Sequence, residues 1–402
     1  MIKRIPVSDL KVGMYISDLN SDWIPHSNFK KQGKIKKEQV IGKIKQLGIK
    51  ELYIDTYKGM GVSDAPSVAE VDQSNEAKLS KAGQSSPLNK PKLGLGEEMV
   101  AATKVHNEAI ILVDGVLSDA KLGKAIDMDS IDHLAEDMLD SLFRNHNALA
   151  CLGCIREKDS YLMEHSVNLS VLMSIFGKSM DLDRNILQQT IAGALLHDIG
   201  KVMVPDEILH KPGKLTNEEF AAIKEHVTLG KNHLDAAGGI SPLTIKIAAE
   251  HHERMDGTGY PAGLKGVDIS PHGRMAAIVD VYDAITADRC YHKGMTPTMA
   301  IKKLLEWSDH HLDRSLVLHF IRCIGIYPVG SLVLLESGRL AAVVEVNEFD
   351  QRQPVVRVMY HTKFKCFIKT ALIDLSKPSV QDVIVKAVDP ADYRIIVKDF
   401  LV

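Results

Sequence analysis

The adjacent pair His197-Asp198, in the stretch Leu195-Leu196-His197-Asp198-Ile199-Gly200-Lys201, constrains this chain more than any other feature. Such a pair lets the carboxylate bridge two metal ions while the neighbouring imidazole ligates one of them. His226, the pair His251-His252 and Asp280 follow at intervals of about one helix plus one loop. Neutral imidazole and carboxylate suit iron, manganese or zinc without any thiolate. Two ions about 3.5–4 Å apart suit phosphoester hydrolysis, because together they hold the attacking and the leaving oxygen.

The rest of the chain is compatible with a multidomain protein. At 402 residues, two or three domains are expected. With 45% hydrophobic and 25% charged residues the composition is globular, and a net charge of −3 gives no reason to expect a long nucleic acid as partner. No apolar run approaches the roughly 20 residues that span a bilayer. Met1-Ile2-Lys3-Arg4-Ile5-Pro6 lacks the apolar core of a signal peptide, so the cytoplasm is the expected compartment. Five cysteines argue against a disulfide framework. Cys151 and Cys154 form a single C-x-x-C without a second pair and are read as buried or idle thiols; Cys290, Cys323 and Cys366 are read as structural.

Residues 1–60 read as a small α/β module. Ile5-Pro6-Val7, Met14-Tyr15-Ile16 and Leu52-Tyr53-Ile54 are strand candidates, and residues 35–47 carry helix-spaced Val40, Ile41, Ile44 and Leu47 among lysines. The lysines are read as a solvated helix face. Residues 61–95, rich in Ser, Ala, Gln, Asn and Pro, are expected to be a flexible linker. Residues 96–146 form a helical connector with amphipathic stretches at 99–117 and 131–142; the first either bridges to the core or pairs with another subunit as a homodimer. Residues 147–325 read as a helical domain, with helical spacing at 162–176, 186–196, 220–234, 243–250 and 275–287. From 326 to 402 the pattern turns to β, with strands at 331–335, 341–346 and 354–360 and a hairpin turn at Glu336-Ser337-Gly338-Arg339. The fold class expected is therefore mainly α, with a small α/β module at the N-terminus and a small β-rich module at the C-terminus.

The candidate ligands sit on these helices. His165 lies within one, His197-Asp198 ends the next before Gly200, His226 is mid-helix, His251-His252 closes another and Asp280 lies in a fifth. Side chains on helices converge more accurately than side chains on loops. A single such histidine is more often a packed core residue than a ligand, but a set including two His-containing dipeptides favours a metal. An uncompensated buried carboxylate at 198 or 280 would cost several kcal/mol, which a cation removes.

His197-Asp198, with His165 upstream and Asp280 downstream, resembles the HD superfamily of metal-dependent phosphohydrolases. More narrowly, His251-His252-Glu253-Arg254-Met255-Asp256-Gly257-Thr258-Gly259-Tyr260-Pro261 resembles the HD-GYP signature. Leu209-x-Lys211-Pro212-Gly213-x-Leu215, Gly263-Leu264-x-Gly266 and Asp280-x-x-Asp283-Ala284-x-Thr286 extend the likeness over most of 155–295. The resemblance implies an all-helical catalytic domain that hydrolyses cyclic di-GMP to pGpG, and further to GMP, through attack by a hydroxide bridging two divalent ions, iron or manganese. It implies that His165, His197, Asp198 and Asp280 hold one ion, and that Asp198 bridges to a second held by His226, His251 and His252. Lys201 would meet the scissile phosphate, Arg289 the ligand's phosphate or guanine, and Gly259, Tyr260 and Pro261 would shape the loop over the pocket.

The sequence departs from the family in two places. Tyr161 stands where some members carry a glutamate ligand for a third ion, so a two-metal site is expected; Glu164 is read as exposed. Cys290 follows Arg289 where proline is common, with His292 and Lys293 in place of a single basic residue, which leaves ligand preference open. His310-His311 is read as an exposed helix end, Glu253 and Asp256 as loop-fixing groups, and Trp23 and Trp307 as core. Alternatives are a phosphodiesterase for another cyclic dinucleotide, such as cyclic GMP-AMP, and a slow cyclic-dinucleotide receptor signalling through its outer domains; residues 1–60 are in either case the expected place for a regulatory protein partner.

Overall fold

The computed structural model describes residues 1–22, 32–82, 91–155, 161–211, 213, 215–287, 294–347 and 349–401. Trp23, Pro212, Arg289, Cys290, His292 and Lys293 lie outside these, as does the side chain of Tyr161. The architecture is multidomain and mainly helical, with a small sheet towards each end of the chain. It divides into two compact units, Met1–Leu79 with Lys211–Phe220, and Ser80–His210 with Ala221–Val402. Among the described residues no helix is long and apolar enough to cross a membrane.

The first unit contains β1 (Ile2–Pro6), β2 (Tyr15–Asp18), β3 (Gly33–Lys34), α1 (Glu38–Gln46), β4 (Glu51–Asp55) and the start of α2 (Val68–Ala82). The strands form an antiparallel sheet in the order β1-β4-β2-β3. Ile5, Ile16, Leu52 and Ile54 of the sheet are buried, as are Ile41 and Ile44 of α1, while Lys36, Lys37, Lys43 and Lys45 are exposed. The lysine face is thus solvated. Helix α2 occupies residues 68–82 of the stretch expected to be a flexible linker, of which residues 83–90 lie outside the described ones. Ser67 and Glu70 form a reciprocal capping box: Ser67 N donates to Glu70 Oε2 at 2.7 Å and Glu70 N to Ser67 Oγ at 3.3 Å. That motif starts a helix even where composition is polar.

In the second unit α3 (Leu95–Lys121) and α4 (Met128–Gly153) form an antiparallel hairpin. Buried Glu98 links them by accepting from Arg144 Nε at 2.6 Å and Ser141 Oγ at 2.8 Å. Helix α4 runs through the expected boundary at 146 and kinks there instead, at Asn145, whose backbone is extended. The helical core continues with α5 (Tyr161–Ser179), α6 (Arg184–Leu196), α7 (Asp206–Leu209), α8 (Asn217–Ala237), α9 (Pro242–Glu250), α10 (Pro271–Thr286), α11 (Pro297–Trp307) and α12 (Arg314–Ile324). Helix α5 is its axis: every residue from 164 to 177 is buried, and it packs on α3, α4, α6, α10 and α12. Trp307 is buried in this core.

The C-terminal sheet comprises β5 (Leu332–Leu335), β6 (Arg339–Glu345), β7 (Val355–His361), β8 (Cys366–Asp374) and β9 (Ile384–Ala387), ordered β8-β7-β6-β5-β9 with all pairs antiparallel. Gly338, at φ 79°, makes the expected turn between β5 and β6. Val333, Ala341, Val343, Val356 and Val358 form its apolar cluster. Cys151 of α4 donates from Sγ to the carbonyl of Val344 at 3.4 Å, and Val346 N donates to Asn147 Oδ1 at 3.2 Å, tying this sheet to the helices.

One contact sets the spacing of two ligand-bearing helices. A Cβ at Gly193 of α6 would lie 2.9 Å from Cβ of Ile247 on α9, so the helices approach at a distance only glycine permits. His197 and His251 follow the C-termini of these two helices. Gly193→Val is therefore expected to destabilise the protein by about 1–3 kcal/mol through overpacking, read from urea denaturation. It should also weaken divalent-metal binding, because the two histidines move apart.

Candidate metal centre

The local backbone aims three imidazoles inward. Nδ1 of His197, His226 and His251 lies 2.7, 2.6 and 2.8 Å from the carbonyl three residues earlier, that of Ala194, Ile223 and Ala248 respectively. A carbonyl only accepts, so each Nδ1 carries the proton and each Nε2 keeps its lone pair when the ring is neutral. All three Nε2 atoms face Asp198.

Asp198 divides between two sets of histidines. Its Oδ2 lies 3.1 Å from His197 Nε2 and 3.6 Å from His165 Nε2. Its Oδ1 lies 3.3 Å from His226 Nε2 and 3.8 Å from His251 Nε2. Asp280 of α10 also faces both sides, with Oδ1 3.1 Å from His165 Nε2 and Oδ2 3.4 Å from His252 Nδ1. The structure thus brings all seven expected ligand residues into one pocket. Their donor atoms fall into groups able to hold an ion: His165, His197 and Asp280; His226, His251 and His252; and His197, Asp198 and His251 between them.

The chemistry of this donor set fits divalent cations. Asp198 Oδ1, His226 Nε2 and His251 Nε2 are buried without a hydrogen-bond partner, the arrangement in which native structures place ligands, ions or water. Burial pushes His251 down to about 3 and His252 well below the usual imidazole value, so both are neutral near pH 7. Burial works against charge on Asp198, yet the neighbouring His197 and Lys201 hold it well below the usual carboxylate range. His165 differs. Burial opposes its charge, but hydrogen bonds with Asp280 and Asp283 outweigh that and raise it to about 9.

Glycine again permits the assembly. Lys201 lies on a 3-10 helix, Ile199–Met203, that crosses α8. A Cβ at Gly200 would stand 1.9 Å from the carbonyl oxygen of His226 and 2.5 Å from Gly230 N. The close crossing sets Asp198 beside His226. Lys201 Nζ is hydrogen-bonded to Asp198 Oδ2 while its side chain remains 20% exposed, at the rim of the centre.

The segment after His252 folds back over the site. Tyr260 N donates to the carbonyl of His252 at 3.2 Å, and the Tyr260 ring lies against that of His252 with centroids 4.7 Å apart. Lys224 Nζ sits 5.7 Å from the Tyr260 ring centre. Tyr260-Pro261 is a cis peptide bond. At Gly259 a Cβ would meet Glu253 Cα and Arg254 N at 2.5 Å, so the loop returns onto its own start. Buried Glu253 accepts from the backbone N–H of Ala262 (2.8 Å), Gly263 (3.1 Å) and Leu264 (2.9 Å). Asp256 accepts from Thr258 N and Oγ1 at 3.1 and 2.7 Å, and its Oδ2 lies 3.4 Å from His311 Nδ1. His311 is buried, which corrects its reading as an exposed helix end.

Two further readings change. Glu164 is buried all the same, and it lines a cavity of about 680 Å³ together with Asn168, Leu172, Tyr282 and Thr286. None of the seven ligand residues lines that cavity. Asp283, noted in the sequence only within a motif, touches His165 directly: Oδ2 lies 2.7 Å from His165 Nδ1. Its spacing of three from Asp280 on one helix was the available signal.

Removing the acceptor at 253 isolates the loop's contribution. Glu253→Ala removes the acceptor of three N–H donors, each bond worth about 0.5–1.5 kcal/mol net. Hydrogen exchange at Ala262, Gly263 and Leu264 should accelerate while amides of α5 keep their protection. Glu253→Gln, which retains an acceptor oxygen, should fall between the two.

Comparison with known proteins agrees with this geometry. Residues 150–316 match the HD domain family, and residues 2–131 match a domain of unknown function, DUF3391. The cyclic di-GMP phosphodiesterase PA4108 of Pseudomonas aeruginosa is 36% identical over 393 residues, covering 98% of this chain and 93% of that protein. A cyclic di-GMP phosphodiesterase of Vibrio cholerae serotype O1 is 46% identical over 134 residues, 32% of this chain and 27% of its own length. The 3'3'-cGAMP-specific phosphodiesterase 2 of the same organism is 43% identical over 123 residues, 30% of this chain and 24% of its own. Given a relative this similar along almost its whole length, and an HD domain whose candidate ligand residues meet in one pocket, the chain belongs to the HD-GYP family of HD-domain metal-dependent phosphohydrolases and is a phosphodiesterase.

Proposed function

We propose that this protein hydrolyses cyclic di-GMP to pGpG, with GMP as a further product, at a centre of two divalent ions, iron or manganese. The observation that carries the reading is the orientation of Asp198, whose two oxygens face two different histidine sets. His165, His197, Asp198 and Asp280 would hold one ion; Asp198, His226, His251 and His252 would hold the other. Divalent ions in such a donor set supply Lewis acidity towards phosphoryl oxygen and make water nucleophilic near neutral pH.

The remaining roles fall to the chain's own groups. Lys201, at the rim beside Asp198, offers a positive point charge to the scissile phosphate and offsets charge that builds on its oxygens. Tyr260, packed on His252, and the flanking Gly259 and Pro261 form a wall beside the ligand. The contact assigned to Arg289 rests on the family resemblance alone. In this reading the protein acts in the cytoplasm, where residues 1–60 take a regulatory input from a protein partner and residues 99–117 offer a face for a homodimer.

A second reading, preference for 3'3'-cGAMP, draws support from the similarity of the HD region to relatives named for that substrate. Protein purified without oxygen should carry two ions per chain and linearise cyclic di-GMP with kcat/KM at least about tenfold above that for 3'3'-cGAMP, ~1.4 kcal/mol of transition-state preference. The reverse ratio would establish the second reading. Asp198→Asn should empty both metal positions and stop turnover, whereas His226→Ala should leave one ion bound. Full metal occupancy with no cleavage of any cyclic dinucleotide would refute both readings.

A further inference from the structure

Four of the five histidines in the pocket are not held alike. His197, His226 and His251 each give their Nδ1 proton to a neutral backbone carbonyl on their own helix. His165 instead sets Nδ1 2.7 Å from a carboxylate, Asp283 Oδ2, supplied by another helix. Asp283 is fully buried, and its other oxygen, Oδ1, accepts a hydrogen bond from Asn168 Nδ2. Asn168 lies one turn after His165 on α5 and packs closely against Gly153, where a Cβ would stand 1.9 Å from Asn168 Oδ1. The order is Asn168, Asp283, His165, with His165 Nε2 left to face Asp198, Asp280 and His197.

Two consequences follow from elementary chemistry. A hydrogen bond to an ionised carboxylate is roughly twice as strong as one to a neutral carbonyl. It also shifts electron density onto the imidazole, so that Nε2 becomes a better donor to a cation. The position formed by His165, His197 and Asp280 therefore combines carboxylate charge with a carboxylate-backed imidazole. The position formed by His226, His251 and His252 has three imidazoles, two of them backed only by carbonyls.

We propose that Asp283, held by Asn168, is a positioning residue that makes the His165 side the tighter of the two metal positions, so that the ions bind in order, His165 side first. This rests on the two-metal reading above. It goes beyond that reading by ranking the two positions and naming the residues responsible.

The test is a titration of metal-free full-length protein with Co(II), followed by its visible absorption bands and by calorimetry, with Mn(II) as a second probe. The wild type should bind in two resolvable steps. Asp283→Asn, which keeps the shape and removes the charge, should weaken the first step by about 10–100-fold and shift its Co(II) bands, leaving the second step within about twofold. Asn168→Ala should weaken the same step by a smaller factor, and Asp283→Glu should recover part of the loss. Unchanged affinities and bands in Asp283→Asn would overturn the proposal. So would loss confined to the second step. Should Asp283→Asn fail to fold, as judged by circular dichroism, Asn168→Ala decides: an unaltered first step overturns the proposal and a selective loss supports it. A wild type that binds no metal would instead sink the two-metal reading itself, and this ranking with it.

Discussion

The structure of the catalytic unit depends on one buried carboxylate that serves two groups of imidazoles at once. Asp198 is 1% exposed and faces His165 and His197 with one oxygen and His226 and His251 with the other. A buried ionised carboxylate costs several kcal/mol unless opposing charge reaches it. Lys201 meets part of that need at the rim, and the unpartnered Oδ1 and Nε2 atoms fit cations that would meet the rest. Stability and chemistry therefore share a cause: the same divalent charge that settles the buried acid is the charge a phosphodiester needs.

Holding such a centre requires helices closer than side chains normally permit. Gly193 against Ile247 brings α6 to α9, and Gly200 against the backbone of His226 brings the turn after His197-Asp198 onto α8. Larger residues at these crossings would keep each histidine on its helix and still spoil the pocket, because packed interiors have little slack. The loop that carries Tyr260 is fixed in a different way. Glu253 gathers three backbone N–H groups and Asp256 reaches buried His311, so acids close to the site act as ties and leave the ligand positions to others.

The residues that meet around Asp198 were legible because each sits on a helix or just past its end, where the neighbours show a 3.6-residue period, and because His-Asp and His-His dipeptides are rare combinations on an apolar face. Other residues were misread for an identifiable reason. Glu164 lies off the face that carries His165, which on a helix with one buried side would mean solvent. Helix α5, however, packs on α3, α4, α6, α10 and α12, and the face that carries Glu164 lines a cavity in which that residue is still buried. His311 was misread in the same way, since its partner Asp256 lies fifty-five positions earlier and meets it only after the chain has folded. The helix over 68–82 was hidden by polar composition, although the Ser67–Glu70 capping box stood in plain view.

By itself the sequence pointed to the residues that meet around Asp198 and to the helical and β stretches along the chain, because periodicity, capping and turn chemistry act over a few residues. Tertiary structure alone decided which oxygen of Asp198 faces which imidazole, that His165 leans on Asp283, and that Glu253 and Asp256 tie the loop while Asp280 faces the histidines. Those outcomes depend on distances between helices far apart in the chain. Such distances are set by how closely two backbones can pack, a property that no single segment contains.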